Sequence, residues 1–247
     1  MNPTEQLHKD LDYLKLSHLR DNFETITKDA AQKGMSHFDF LASALAAEAA
    51  AKRDRAAERR VAQARFPYIK TMDAYRWSHP EQINRDLVRH LFNLQFVKAH
   101  RNVAFVGGPG LGKTHLAIAL ASHACANGHS VRFDTAIDII NRLDTAQKAG
   151  TFVRTMRTYT GPELLVIDEI GYLPIDQRGA DLLFQVISAR YERGSVIVTS
   201  NRAFKDWAVI FNNDRTIASA VLDRLLHHCD PVLIEGKSYR MKDKRDA

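Results

Sequence analysis

The run Gly107-Gly108-Pro109-Gly110-Leu111-Gly112-Lys113-Thr114 constrains the fold of this chain more than any other stretch. It fits G-x-x-x-x-G-K-[ST], a loop that wraps phosphate groups. Its context fits as well. Asn102-Val103-Ala104-Phe105-Val106 reads as a buried strand entering the loop, and His115 to Ala126 reads as a helix leaving it. Glycines let the backbone turn tightly and aim its N–H groups inward, where the helix N-terminus adds positive potential. In such a loop Lys113 reaches the β- and γ-phosphates of ATP, and the Thr114 hydroxyl ligates Mg²⁺.

A second run, Leu164-Leu165-Val166-Ile167-Asp168-Glu169, is apolar until it ends in two carboxylates. Flanked by Gly161-Pro162 and Gly171, it suits a strand buried on both faces of a parallel sheet. Ligands of such sheets bind beyond the carboxyl ends of the strands, which places Asp168 and Glu169 beside the phosphate loop. Asp168 is then the expected Mg²⁺ partner, and Glu169 the residue that polarises water for attack on the γ-phosphate. A third strand, Ser195 to Ser200, leads to Asn201. Asparagine there serves as a helix cap or turn residue, or it senses the γ-phosphate and orients the attacking water. Beside Lys113 and Glu169 the sensor role is the expected one.

Strand patterns at Asn102–Val106, Val131–Asp134, Leu164–Asp168, Val196–Ser200 and Val232–Ile234 alternate with helical patterns at His115–Ala126, Ala136–Lys148, Asp176–Tyr191 and Asn213–His228. This alternation predicts an α/β fold, a parallel five-stranded sheet with helices on both faces. Only about a dozen residues follow the last strand, so no C-terminal helical lid is expected. Residues 1–66 read as a small helical N-terminal domain and 67–247 as the nucleotide-binding domain. Leu7, Leu11 and Leu14 have helical spacing, as do Leu19, Phe23 and Ile26. After Gly34, Ser36 and Asp39 are placed to cap a long helix reaching Ala64.

The phosphate loop, the Asp168-Glu169 pair and Asn201 together resemble the AAA+ ATPases. More specifically, the chain resembles the IstB-like transposition helpers, related to DnaC-type helicase loaders. The resemblance rests on Ala64-Arg65-Phe66-Pro67-Tyr68-Ile69-Lys70-Thr71, the phosphate loop continued by His115-Leu116-Ala117, Asp168-Glu169-Ile170-Gly171-Tyr172-Leu173, Thr199-Ser200-Asn201, and Leu222-Asp223-Arg224-Leu225-Leu226-His227-His228. It implies an ATPase that uses ATP and Mg²⁺, self-associates into a ring or helical oligomer, binds duplex DNA and assists a transposase. It also nominates Arg224 as an arginine finger reaching a neighbour's nucleotide, with Arg215 in reserve. One stretch departs from the family: Met72-Asp73-Ala74-Tyr75-Arg76-Trp77 keeps the aromatic residues but carries Arg76 where an acid is usual. A helicase loader and a non-hydrolysing nucleotide-gated scaffold remain the alternatives.

Charge placement bears on the partner. Residues 52–101 carry twelve Lys and Arg against five Asp and Glu, whereas residues 102–236 carry thirteen against fourteen. Lys52, Arg53, Arg55, Arg59 and Arg60 make a basic helix, and Lys237 to Arg245 a basic tail. Such stripes neutralise a nucleic-acid backbone or form a solvated face. The family resemblance favours DNA, bound largely independently of sequence. No apolar run reaches the roughly twenty residues of a membrane span, and the start lacks a signal peptide's blocks. With Cys125 and Cys229 as its only cysteines, the chain has no disulfide framework, and a cytoplasmic location is expected. His227-His228-Cys229 lies on a predicted helix, where adjacent residues do not share a face, which argues against a metal site.

Overall fold

The computed structural model describes residues 2–239. These fall into two compact units, Met1–Arg59 and Arg60–Ala247.

Three helices begin the chain: α1 (Pro3–Tyr13), α2 (Ser17–Gln32) and α3 (His37–Ala64), the last continuing past the division between the units. Asn2 caps α1 through its side chain, with Pro3 in the first turn, where a missing N–H costs nothing. Ser36 caps the start of α3: its hydroxyl accepts the Asp39 N–H at 3.2 Å and donates to the Asp39 carboxylate at 2.6 Å. Within the first unit Leu11 is buried, while Leu19, Phe23 and Ile26 are half-buried along α2. Glu48 is also buried, accepting the Leu19 N–H at 2.9 Å and pairing with Arg55 at 3.1 Å.

The second unit continues with β1 (Gln82–Ile83), α4 (Arg85–Leu91), α5 (Gln95–Lys98), β2 (Asn102–Gly107), α6 (Lys113–Ala126), β3 (Val131–Thr135), α7 (Ala136–Lys148), α8 (Phe152–Thr160) and β4 (Leu164–Ile170). Then follow α9 (Gln177–Arg190), β5 (Ser195–Ser200), α10 (Trp207–Ile210), α11 (Arg215–Leu226) and β6 (Cys229–Glu235). The sheet order is β1-β6-β2-β5-β4-β3. All neighbours pair in parallel except β1, which runs antiparallel to β6 through Gln82 and Ile83. The sheet therefore has six strands and is mixed, not five-stranded and wholly parallel. Two residues of β1 are too few to carry an alternating pattern, which is why the sequence does not announce them.

Alternate residues of the central strands enter opposite cores. Val103 and Phe105 of β2, with Leu164 and Val166 of β4, pack against α4, α5 and α6. Ala104, Val106, Leu165 and Ile167 face the other way, toward α7, α9 and α11. This is what a strand buried on both faces requires. Each Val, Leu, Ile or Phe side chain removed from water contributes about 1.5–3 kcal/mol. The core under α9 also takes Arg190, whose guanidinium donates to the carbonyls of Tyr159, Pro162, Glu163 and Ser195 at 2.7–3.0 Å. Burial lowers its pKa to about 10. Among the described residues no helix is long and apolar enough to cross a membrane.

Candidate nucleotide site

The phosphate loop leaves the carboxyl end of β2 and turns into α6, as the sequence predicts. Gly112 immediately before α6 has φ +84° and offers no side-chain cap, so the first-turn N–H groups stay directed at the loop's interior. Tyr75 lies against Gly112, where an added Cβ would come within 2.6 Å of its ring. The Tyr75 hydroxyl donates to the Leu111 carbonyl at 3.2 Å, and burial pushes its pKa up to about 12, so it remains a donor. The Tyr239 N–H donates to the Gly110 carbonyl at 3.1 Å. Two segments distant in sequence thus hold the loop through its carbonyls.

Inside the loop, Lys113 Nζ donates to the Gly108 carbonyl at 2.6 Å. The Thr114 hydroxyl donates to Asp168 Oδ1 at 3.0 Å, so the two residues expected at Mg²⁺ already meet. A hydroxyl and a carboxylate are hard oxygen donors of the kind Mg²⁺ takes, which fits that ion. The Thr199 hydroxyl donates to the same carboxylate oxygen and accepts the Glu169 N–H at 2.9 Å. β4 is irregular here: its pairing with β5 shifts between Ile167 and Ile170, and Glu169 takes φ +61°. The bulge turns the Glu169 side chain out of the sheet while Asp168 stays buried.

Lys113, Thr114, Glu169, Thr199 and Asn201 line one cavity of about 430 Å³, together with Tyr75, Arg76, His79, Tyr172 and Tyr239. Asn201 Oδ1 is buried there without a hydrogen-bond partner in the protein, an acceptor left for a ligand or water. Apart from Arg76, marked by its departure from the family pattern, no sequence motif singles out the remaining wall. Arg76 lies over the Tyr239 ring at 5.3 Å from its centroid, and His79 meets the same ring edge-on at 4.7 Å. Arg76, the departure from the family pattern, is therefore part of the cavity wall.

Other nominated residues lie elsewhere. Arg224 is absent from this cavity; it donates to the Ala220 carbonyl at 3.1 Å and sits over the Phe184 ring at 4.7 Å. Arg215 lines a separate groove along α11. Of the basic helix, Lys52, Arg53 and Arg59 are exposed, whereas Arg55 is paired with Glu48. Arg60 Nε donates to the Cys125 carbonyl at 2.7 Å, at the end of α6. Arg55 and Arg60 thus have structural partners that a linear charge count does not reveal. Arg240, Lys242, Lys244 and Arg245 of the basic tail lie outside the described residues.

A phosphate loop between β2 and α6, with an acidic pair at the end of β4, defines a P-loop nucleotide-binding protein. Its fold is similar to that of the DnaC helicase loader, with a TM-score of 0.53 and 22% identity over 67% of this chain and 96% of that one. DnaI gives a TM-score of 0.56 at 18% identity, over 67% of this chain and 90% of that one. The chain belongs to the IstB-like ATP binding protein family, whose sequence model matches residues 9–247. It is 40% identical to the insertion sequence IS21 ATP-binding protein of Pseudomonas aeruginosa, across 96% of this chain and 89% of that protein. The insertion sequence IS5376 ATP-binding protein of Geobacillus stearothermophilus is 36% identical, across 98% and 96%.

Proposed function

We propose that this chain is an Mg²⁺-dependent ATPase of an insertion sequence that assembles on duplex DNA and assists a transposase. The observation that carries the ATPase reading is the convergence of Lys113, Thr114, Glu169 and Asn201 on one cavity, with buried Asp168 bonded to the Thr114 hydroxyl behind its wall. Lys113 and the N–H groups of α6 hold the phosphates, and Arg76, His79 and Tyr239 wall the side away from them. Thr114 and Asp168 would hold Mg²⁺, which would supply positive charge against the phosphates. Glu169 takes a proton from the attacking water, and the Asn201 carbonyl oxygen orients that water. Arg224 lies outside its own cavity and so serves a neighbour's. A contact of that kind is head-to-tail and generates rings or helical filaments. Lys52, Arg53 and Arg59 contact the DNA backbone.

Insertion sequences depend on a transposase, and the relatives named for them match nearly the whole chain at 36–40% identity. The likeness to the DnaC helicase loader is one of fold. The transposase reading is therefore preferred to helicase loading, and co-purification with a transposase or a helicase decides between them. The test of the ATPase reading pairs two variants. Lys113→Ala is expected to lose nucleotide binding, whereas Glu169→Gln keeps binding and loses phosphate release in the presence of DNA. Equal loss of binding in both, or full turnover by Glu169→Gln, overturns these roles. Binding without phosphate release by the wild type decides for a nucleotide-gated scaffold.

A further inference from the structure

The turns after α9 and α11 approach each other beside the amino ends of β5 and β6, the end of the sheet opposite the phosphate loop. The sequence pattern carries the last helix through His228, but α11 stops at Leu226, and His227 and His228 occupy the turn that follows. Neighbours on a helix diverge, but these two residues are not on one. Their ring centroids lie 4.1 Å apart. Glu192 reaches them from the other turn, with its backbone at φ +57°. One donor atom from each of Glu192, His227 and His228 lies within 4.8 Å of the other two.

The spacing suits a particular ion. Tetrahedral zinc, with bonds of about 2.0–2.1 Å, sets its ligand atoms about 3.4 Å apart. His228 Nε2 stands 3.4 Å from Glu192 Oε1, one edge of such a tetrahedron. All three side chains are at least partly exposed, which leaves them room to turn toward one ion. His227 has an outer contact of the kind that steadies a ligating imidazole: its Nδ1 bonds the Tyr191 hydroxyl at 2.6 Å.

We propose that Glu192, His227 and His228 bind a divalent cation of the zinc class, leaving a fourth position for water or a partner's ligand. Two imidazoles and one carboxylate favour Zn²⁺, Co²⁺ or Ni²⁺ over Mg²⁺, which prefers all-oxygen octahedral sites. The ion at this end of the sheet therefore does not compete with Mg²⁺ at the phosphate loop. It ties the end of α9 to the end of α11, three residues beyond Arg224.

The test uses the full chain, stripped with a chelator and titrated with Co²⁺ under saturating Mg²⁺. One equivalent is expected to bind with the visible absorption of a low-coordinate cobalt site and to be displaced by Zn²⁺. Glu192→Gln, His227→Gln and His228→Gln should each weaken binding about 10-fold or more, the scale on which even outer contacts to a metal act. Zn²⁺ should raise the melting temperature of the wild type and not of Glu192→Gln. Unchanged nucleotide-analogue binding by the variants shows that they are folded. No saturable Co²⁺ or Zn²⁺ binding by the wild type, or equal affinity in all three variants and the wild type, overturns the site and leaves only an exposed ion pair between His228 and Glu192.

Discussion

The Thr199 hydroxyl accepts the backbone N–H of Glu169 at 2.9 Å and donates a hydrogen bond to the Asp168 carboxylate. One buried hydroxyl on β5 therefore fixes both acidic residues at the end of β4. Glu169 sits in a left-handed backbone conformation that an L-residue leaves readily unless its surroundings hold it.

Thr199→Val keeps the shape of the side chain but removes both hydrogen bonds. It is expected to slow ATP turnover by roughly 10–100-fold, the scale of losses from small misplacements of reacting groups. Nucleotide-analogue binding should stay near the wild-type value, because Lys113 and the loop are untouched. Thr199→Ser should recover most of the rate. Phosphate-release and binding assays on the two variants check this; a fully active valine variant would show that Thr199 is only packing.

Arg224 leads to a different measurement. Its absence from its own cavity predicts that Arg224→Ala subunits bind nucleotide normally yet hydrolyse poorly. Arginine fingers contribute on the order of 10³–10⁵ in rate. Mixing Arg224→Ala with Lys113→Ala subunits should restore part of the activity, since one kind of interface then has both working parts. Mixtures that remain inactive point to Arg215 or to a role within one subunit.

Much of this site is legible in the sequence because its chemistry lies in contiguous runs. The phosphate loop, Asp168-Glu169 and Asn201 each follow an apolar strand, and the parallel sheet brings the ends of those strands together. The cavity's far wall is not legible. Arg76, His79 and Tyr239 come from irregular segments at opposite ends of the unit, with no period to read, and only the fold places them side by side. α8 is hidden for another reason. Its threonines, valine and aromatic residues are poor helix formers, and the helix is held by Phe152, Met156 and Tyr159 packing on the α7–α9 core. His227 and His228 fall outside their predicted helix because an apolar period does not mark a helix's last residue.

Gly107 of β2 lies opposite Ile234 of β6. A Cβ added there would lie 2.1 Å from the Ile234 carbonyl oxygen, which is backbone and cannot rotate away. Gly107→Ala should destabilise the second unit by about 1–3 kcal/mol or more, the range for forced overpacking. Urea unfolding measures it. A loss below about 0.5 kcal/mol, within the range of ordinary surface changes, would mean that the two strands separate easily.

Arg190 should be as sensitive, for a polar reason. Arg190→Leu leaves the carbonyls of Tyr159, Pro162, Glu163 and Ser195 without their donor. Each unsatisfied buried acceptor costs about 1–3 kcal/mol, so a total of about 3 kcal/mol or more is expected in the same unfolding experiment. Arg190→Lys should recover only part of it, because an ammonium cannot span four carbonyls as a planar guanidinium does. Equal stability of the leucine variant and the wild type would mean that water replaces the guanidinium.

DNA binding yields the last expectation. Lys52 and Arg59 are seven residues apart on α3 and share a face, with Arg53 beside them, and all three are exposed. Arg55 and Arg60 are engaged by Glu48 and by the Cys125 carbonyl, so their removal would perturb the protein as well as any DNA contact. The informative variant is therefore Lys52→Ala, Arg53→Ala and Arg59→Ala combined. It should weaken binding to every duplex sequence alike while leaving nucleotide binding intact. Removing one cation from a phosphate should flatten the log–log dependence of affinity on salt by about 0.9. Binding should also require ATP, because only assembled subunits present many such stripes to one duplex and gain from multivalency. Filter binding across a salt series, with and without an ATP analogue, measures both. An unchanged slope and affinity in the triple variant would make this face of α3 a solvated or protein-docking surface and move the DNA path elsewhere on the chain.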